Sequence, residues 1–310
     1  MSPAPPRLAA TRPVTWKVGL FALLVSFFWS GNIVSIKFGL ATIPPFWSAF
    51  WRMAIGVLAV WAWAWALRKP IRIERGQLRD FVLLAMMFTA QIAIFNLSVF
   101  YTSPAYAVIL LNTNPVMINL ISHYFVKADR LSASRLLGLA IAFSGISYVM
   151  FGQPDAILAP NPKIGNPLML VSSFLLALRI VYTQRLVRRV GTYRPVIWQM
   201  ALSLPGFLAL ALAFEKPLLQ PLSYEPVLAI LYQAVVVAGF CFVSWTSLLR
   251  LYSAGNLAMY TFSVPIFGIF LSAALFDERI TGRLLVGAIA VAAGIAIVTK
   301  LKFRGTPRAA

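Results

Sequence analysis

Between residues 81 and 126 the chain runs for 46 residues without a charged side chain. An α-helix rises about 1.5 Å per residue and the hydrocarbon core of a bilayer is about 30 Å thick, so roughly 20 apolar residues cross it. A run of this length holds two crossings, joined at Tyr101-Thr102-Ser103-Pro104. Comparable apolar runs cover residues 18–36, 38–67 with Arg52 inside, 136–154, 164–184 with Arg179 inside, 195–214, 226–249, 251–276 and 284–299. Ten transmembrane helices are predicted, an all-α membrane protein. Only 11% of the 310 residues are charged, against about a quarter in a soluble domain, which excludes a soluble enzyme, a coiled coil and a disordered tail.

The charges that remain sit at the ends of the runs. Glu74, Asp80, Asp129, Asp155, Glu215, Glu225, Asp277 and Glu278 all fall between runs, so intramembrane chemistry based on carboxylates is not expected. The net charge of +19 is an orientation signal here, not a nucleic-acid footprint. Of the 27 basic residues, twenty fall on the side that holds both termini, four on the other, and Lys37, Arg52 and Arg179 within or at the end of spans. The excess of Lys and Arg places both termini in the cytoplasm, in the cytoplasmic (inner) membrane. Trp47 and Trp51 at one end of the second span and Trp61, Trp63 and Trp65 at the other fit interfacial belts. Cys241 is the single cysteine, so no intrachain disulfide or cysteine-based metal cluster is possible. The 19 uncharged residues of the first run exceed a signal-peptide core, and the expectation is an uncleaved helix.

The sequence also repeats. The stretch from Asn114-Pro115 aligns with that from Val264-Pro265 at an offset of 150, falling to 149 after the loop: Pro115/Pro265, Ser122/Ser272, Arg130/Arg279, Leu136/Leu285, Gly138/Gly287, Gly145/Gly294 and Ile146/Ile295. Five spans per half make the halves antiparallel in the membrane, an inverted repeat. The expected division is a cytoplasmic tail 1–17, a first five-helix repeat 18–153, a linker 154–163, a second repeat 164–300 and a tail 301–310.

These features resemble the EamA-type branch of the drug/metabolite transporter (DMT) superfamily. The resemblance rests on Phe28-Trp29-Ser30-Gly31-Asn32 with Lys37, on Arg52, and on Tyr101-Thr102-Ser103-Pro104-Ala105 leading to Pro115. It rests equally on Asp129-Arg130-Leu131-Ser132 with Gly138 and Gly145, repeated as Asp277-Glu278-Arg279-Ile280-Thr281 with Gly287 and Gly294. It implies two inverted five-helix repeats around a central cavity, alternating access, and the export of amino acids or other small metabolites; related branches carry nucleotide sugars and sugar phosphates. The sixth span departs from the family pattern, with Leu175-Leu176-Ala177 followed by Arg179.

Polar groups within hydrocarbon are costly and should face the bundle interior or a wet cavity. Arg179, matched at an offset of 147 by Asn32 while Tyr182 matches Ser35, either meets a substrate carboxylate or phosphate or snorkels to the interface. Arg52 and Lys37, near span ends, read more readily as interfacial or packing residues than as substrate contacts. Asn112, Asn119 and His123 share one face of the fourth span, wet or bonded between helices. Trp29, Asn32, Gln91, Asn96, Asn112, Arg179, Tyr182, Trp245 and Tyr260 form the predicted substrate lining, and Pro115 and Pro265 the predicted hinges. Small residues at Gly138/Ala142 and Ala290/Gly294 read as close helix contacts.

The expectation is a secondary transporter, not an enzyme, exporting a small zwitterionic or anionic, amino-acid-like metabolite, without cofactor or metal, and sufficient as a monomer in the lipid bilayer. Three basic residues and no acid in the spans favour a carboxylate-bearing solute over a cationic drug. An organic-phosphate or nucleotide-sugar carrier is the alternative within transport; an intramembrane enzyme or a scaffold is the alternative outside it.

Overall fold

The computed structural model describes residues 15–74, 76–114, 117, 133–152, 156–216, 223–252, 257, 260–261 and 263–304. Pro115, Asn119, His123 and the Asp129-Arg130-Leu131-Ser132 loop lie outside the described residues. The described part is helical, with no strand. It comprises α1 (Trp16–Gly39), α2 (Pro45–Ala66), α3 (Leu78–Tyr101), α4 (Pro104–Leu111), α5 (Ala133–Met150), α6 (Pro162–Val190), α7 (Tyr193–Ala201) and α8 (Leu204–Phe214). There follow α9 (Tyr224–Leu231), a π-helical stretch (Tyr232–Cys241), α10 (Phe242–Leu251), α11 (Ser263–Phe276) and α12 (Gly282–Arg304).

Six helical stretches among the described residues are long and apolar enough to cross a bilayer: Trp16–Gly39, Pro45–Ala66, Leu78–Tyr101, Pro162–Val190, Tyr193–Phe214 and Tyr224–Leu251. Shorter apolar helices, including Ser263–Phe276, accompany them. Their outward faces are apolar too, Met86 being 64% exposed and Phe270 67%, as a surface in contact with lipid must be.

Local chemistry explains where the helices break. Ser103 caps α4, its hydroxyl accepting from the Tyr106 amide, and Pro104 occupies the first turn, where its missing N–H is no loss. The predicted junction at Tyr101-Thr102-Ser103-Pro104 is therefore a break between two helices. Pro205 in the first turn of α8 separates it from α7 within one long stretch. Gly191 ends α6 at φ 84°, a left-handed conformation that suits glycine, behind Arg188 and Arg189 in the last turn.

The bundle has two faces. The N-terminal face holds the start of α1, where Tyr182, eight residues before the end of α6, bonds Asp80 at the start of α3 and Trp198 bonds the Ile71 carbonyl. The opposite face holds the end of α1, where Lys37 reaches the end of α3 and Glu215 the start of α2. A seam of small residues joins α5 to α12. A Cβ on Gly145 would stand 2.8 Å from the Ala290 Cβ and 2.9 Å from the Gly287 oxygen; one on Gly294 would meet the Gly138 oxygen and lie 2.8 Å from the Ala142 Cβ. Gly138 thus faces Gly294 and Gly145 faces Gly287, so aligned residues exchange partners, as they do across a two-fold axis.

Candidate functional site

A cavity of about 230 Å³ lies among α1, α3, α4, α6, α7, α10, α11 and the π-helical stretch. Its lining includes Trp29, Asn32, Gln91, Phe95, Asn112, Arg179, Gln199, Phe242, Trp245 and Thr246. The cavity is not centred. Leu249, which lines it, is two residues from the end of α10 at the N-terminal face, about 3 Å along the axis. On the other side the lining residues Ile33 and Phe95 stop six residues short of the ends of α1 and α3, about 9 Å. The void occupies the middle of the bundle and the half toward the N-terminal face.

Arg179 is the cation of this cavity. Its Nη1 donates to Gln199 Oε1 at 3.2 Å, and its guanidinium lies 5.0 Å from the Phe88 ring centre and 5.9 Å from that of Phe242. Its Nε has no hydrogen-bond partner, and no carboxylate pairs with it among the described residues. Stacked on apolar rings without a counter-ion, the group keeps donors available for an anion. Arg179 therefore faces the cavity and does not snorkel.

Six of the nine predicted lining residues come together here: Trp29, Asn32, Gln91, Asn112, Arg179 and Trp245. Trp29 and Trp245 make an edge contact at 4.8 Å between ring centres. Gln91 donates to Ser172 Oγ at 3.1 Å while its Oε1, like the Asn32 Oδ1, is buried without a partner. Asn112 donates to the Val108 carbonyl of its own helix at 2.7 Å. The other three are held elsewhere. Asn96 is fully buried and bonds Arg52 and the Pro45 carbonyl; Tyr182 bonds Asp80; Tyr260 lies against α1, its Oη 2.6 Å from where a Cβ on Gly19 would stand. Pro265 is buried on α11 beside Val264, whose carbonyl accepts from Ser30. Gln199, Thr246 and Thr183 also line the cavity and lie outside the predicted set; each is a polar residue inside an apolar run, the signal that marks them in the sequence.

The opposite face is closed by charges bonded to backbone. Lys37 donates to the carbonyls of Val99, Phe100 and Thr102 at 2.9, 3.0 and 2.9 Å, capping the end of α3. Glu278 is only 5% exposed and accepts from the Ala105 amide at 3.2 Å and from Ser272. It falls between apolar runs in the sequence, and the chain folds it inward, onto the start of α4. Arg52, expected to be an interfacial or packing residue, is packed inside: it is 2% exposed and donates to Asn96 Oδ1 at 3.2 Å. Glu215 accepts from the amides of Phe46 and Trp47 at 2.7 and 2.9 Å, serving α2, whose own cap residue Pro44 has no side chain able to do so.

The EamA-like transporter family model matches the chain twice, over residues 16–151 and 163–300. The chain belongs to the EamA-like transporter family. It is an integral membrane protein, and the family points to a transporter rather than an enzyme. It is 21% identical over 280 residues to the uncharacterized transporter YoaV of Bacillus subtilis, covering 90% of this chain and 95% of that protein. To a protein of Escherichia coli named a probable amino-acid metabolite efflux pump it is 25% identical over 293 residues, covering 91% and 94%. A protein of the same name from Salmonella typhimurium is 26% identical over 305 residues, covering 94% and 98%. A crystal structure of a protein described no further shares the fold, with a TM-score of 0.67 at 19% identity over 92% of this chain and 96% of that one.

Proposed function

We propose that this transporter is a secondary exporter of a small zwitterionic or anionic, amino-acid-like metabolite, working by alternating access between two inverted five-helix repeats, ten spans in all. The repeats occupy residues 18–153 and 164–300, joined by the linker 154–163. The observation that carries the substrate class is Arg179: a guanidinium aimed into the cavity, stacked on Phe88 and Phe242, with no carboxylate in the lining among the described residues. A cationic solute would meet a like charge there, whereas a carboxylate gains charge-assisted bonds in a low-dielectric site. Asn32 Oδ1 and Gln91 Oε1, buried and unpaired on the facing helices, are acceptors for the ammonium of a zwitterion. The single cavity cation among the described lining residues suits a carboxylate better than a phosphate monoester. The relatives named as amino-acid metabolite efflux pumps support the same reading.

The reciprocal contacts of Gly138, Gly145, Gly287 and Gly294 support the inverted repeat, and the capped opposite face supports a conformation open toward the N-terminal face. The excess of basic residues supports that face as cytoplasmic, in the inner membrane, and two fused halves make a monomer sufficient. Pro265, and Pro115 by repeat equivalence, are the proposed bending points.

Uptake into proteoliposomes tests the substrate class, with a labelled panel of neutral and aromatic amino acids, organic phosphates and a quaternary ammonium dye, for wild type and Arg179→Ala. Transport of an amino acid that is lost in the variant is the expected result. Transport of the dye would overturn the charge argument, and transport of a phosphate would promote the organic-phosphate carrier.

A further inference from the structure

The repeat that relates Asn32 to Arg179 at an offset of 147 continues into the next helix. Trp51-Arg52-Met53-Ala54 on α2 stands against Trp198-Gln199-Met200-Ala201 on α7, making Arg52 the counterpart of Gln199. At the offset of 150, Ser103 meets Ser253 and Asn96 meets Thr246. Gln199 and Thr246 line the cavity. Arg52 and Asn96 are 2% and 0% exposed and bonded to each other, in the half of the bundle that is closed.

The second half pairs Arg179 with Gln199; the equivalent pair in the first half is Asn32 with Arg52. That pair is not made. Asn32 Oδ1 and Arg52 Nε are both buried without a partner among the described residues, and so is the hydroxyl of Ser48, one turn before Arg52 on the same face of α2. Unsatisfied buried polar atoms are rare and mark a site that is completed by something else.

We propose that Arg52 and Asn96 form a second binding station for the transported carboxylate, lining the cavity when the bundle opens to the opposite face, with Asn32 then pairing Arg52 as Gln199 now pairs Arg179. The inference rests on the alternating-access reading above. A solute carboxylate meets Arg179 from one face and Arg52 from the other, so its charge is matched by a guanidinium in both states and is not released against apolar walls.

The test replaces the lone cysteine (Cys241→Ser) and introduces Thr246→Cys, Asn32→Cys, Asn96→Cys or Ser48→Cys, one at a time. Each is labelled with a membrane-impermeant methanethiosulfonate in right-side-out and inverted vesicles. Thr246→Cys should label from the N-terminal face and Asn32→Cys from both faces. Asn96→Cys and Ser48→Cys should label from the opposite face, slower than Thr246→Cys by about ten- to a thousandfold, since a minor conformer is populated at roughly 0.1–10%. Ser48→Cys leaves the Arg52–Asn96 bond intact and guards against misfolding of the Asn96 variant. Shielding of both Asn96→Cys and Ser48→Cys, or their labelling from the N-terminal face, overturns the second station while Asn32→Cys labelled from both faces keeps alternating access. Asn32→Cys labelled from one face only removes alternating access and this proposal with it.

Discussion

At the face where α1 ends, charged side chains are bonded to backbone: Lys37 to three carbonyls, Glu215 to two amides, Glu278 to one. At the face where α1 begins they are bonded to one another, Arg194 to Glu74 at 2.7 Å and Arg189 to Asp80 at 4.0 Å, with Glu74 and Arg189 well exposed. A charge that caps a helix end satisfies groups that have no partner in their own helix, and it fixes where that helix stops against its neighbour. An ion pair with a well-exposed partner, as Glu74 is to the largely buried Arg194, is screened by water and is worth about 0–1 kcal/mol. The closed end of this transporter is therefore built from helix caps, and the end that the cavity approaches from contacts that rearrange at little cost.

The largest effect should come from the residue that belongs to neither end. Arg179→Ala is expected to lower uptake in proteoliposomes by roughly ten- to a hundredfold, the size of a lost hydrogen bond to a charged group. Its melting temperature in detergent should stay close to wild type, because Arg179 has no carboxylate partner to strand among the described residues. Lys37→Met attacks the closed end directly: three carbonyls at the end of α3 lose their donor, and a stability loss of about 1–3 kcal/mol is expected, read as a lower melting temperature. If the ends were built alike, Glu74→Gln would cost as much; the expectation is a change within about 0.5 kcal/mol.

The finest test is the pH response of Glu215. Burial lifts its pKa above the ordinary 4.5, and its two amide bonds pull it part of the way back. A carboxyl that holds its proton more tightly in the folded state stabilises the fold most below the unfolded pKa and loses that contribution as pH rises through the folded one. From about pH 4 to about pH 7 the wild-type melting temperature should therefore fall relative to that of Glu215→Gln. A wild-type curve that rises relative to the variant would reverse the sign assigned to this group.

Apolar runs and prolines made the helices readable in one dimension, down to the break at Ser103-Pro104. Arg179, Asn32, Gln91 and Trp245 were legible as cavity residues because a polar or large aromatic side chain inside such a run must face something other than lipid. Other roles were hidden because they depend on what stands opposite. Lys37 and Arg52 both sit near span ends, yet one finds carbonyls at the end of α3 and the other an amide on the same helix; spacing along α1 or α2 does not encode either partner. The burial of Glu278 is not legible from its position between runs, because the α4 amide it meets lies 173 residues away. Nor does the composition of α9 and α10 announce the wider π-helical turn between them at Tyr232–Cys241.

The seam between α5 and α12 has a consequence of its own. A surface on which Gly138 meets the counterpart of Gly145, and Gly145 the counterpart of Gly138, is self-complementary: it is what two separate copies of one five-helix unit, inserted with opposite topology, would need in order to pair. Such a patch also maps onto itself when the halves trade conformations, so it survives the exchange unchanged. Under the inverted-repeat reading, the contact between α5 and α12 is a place where exchanging the two halves leaves each glycine with an equivalent neighbour.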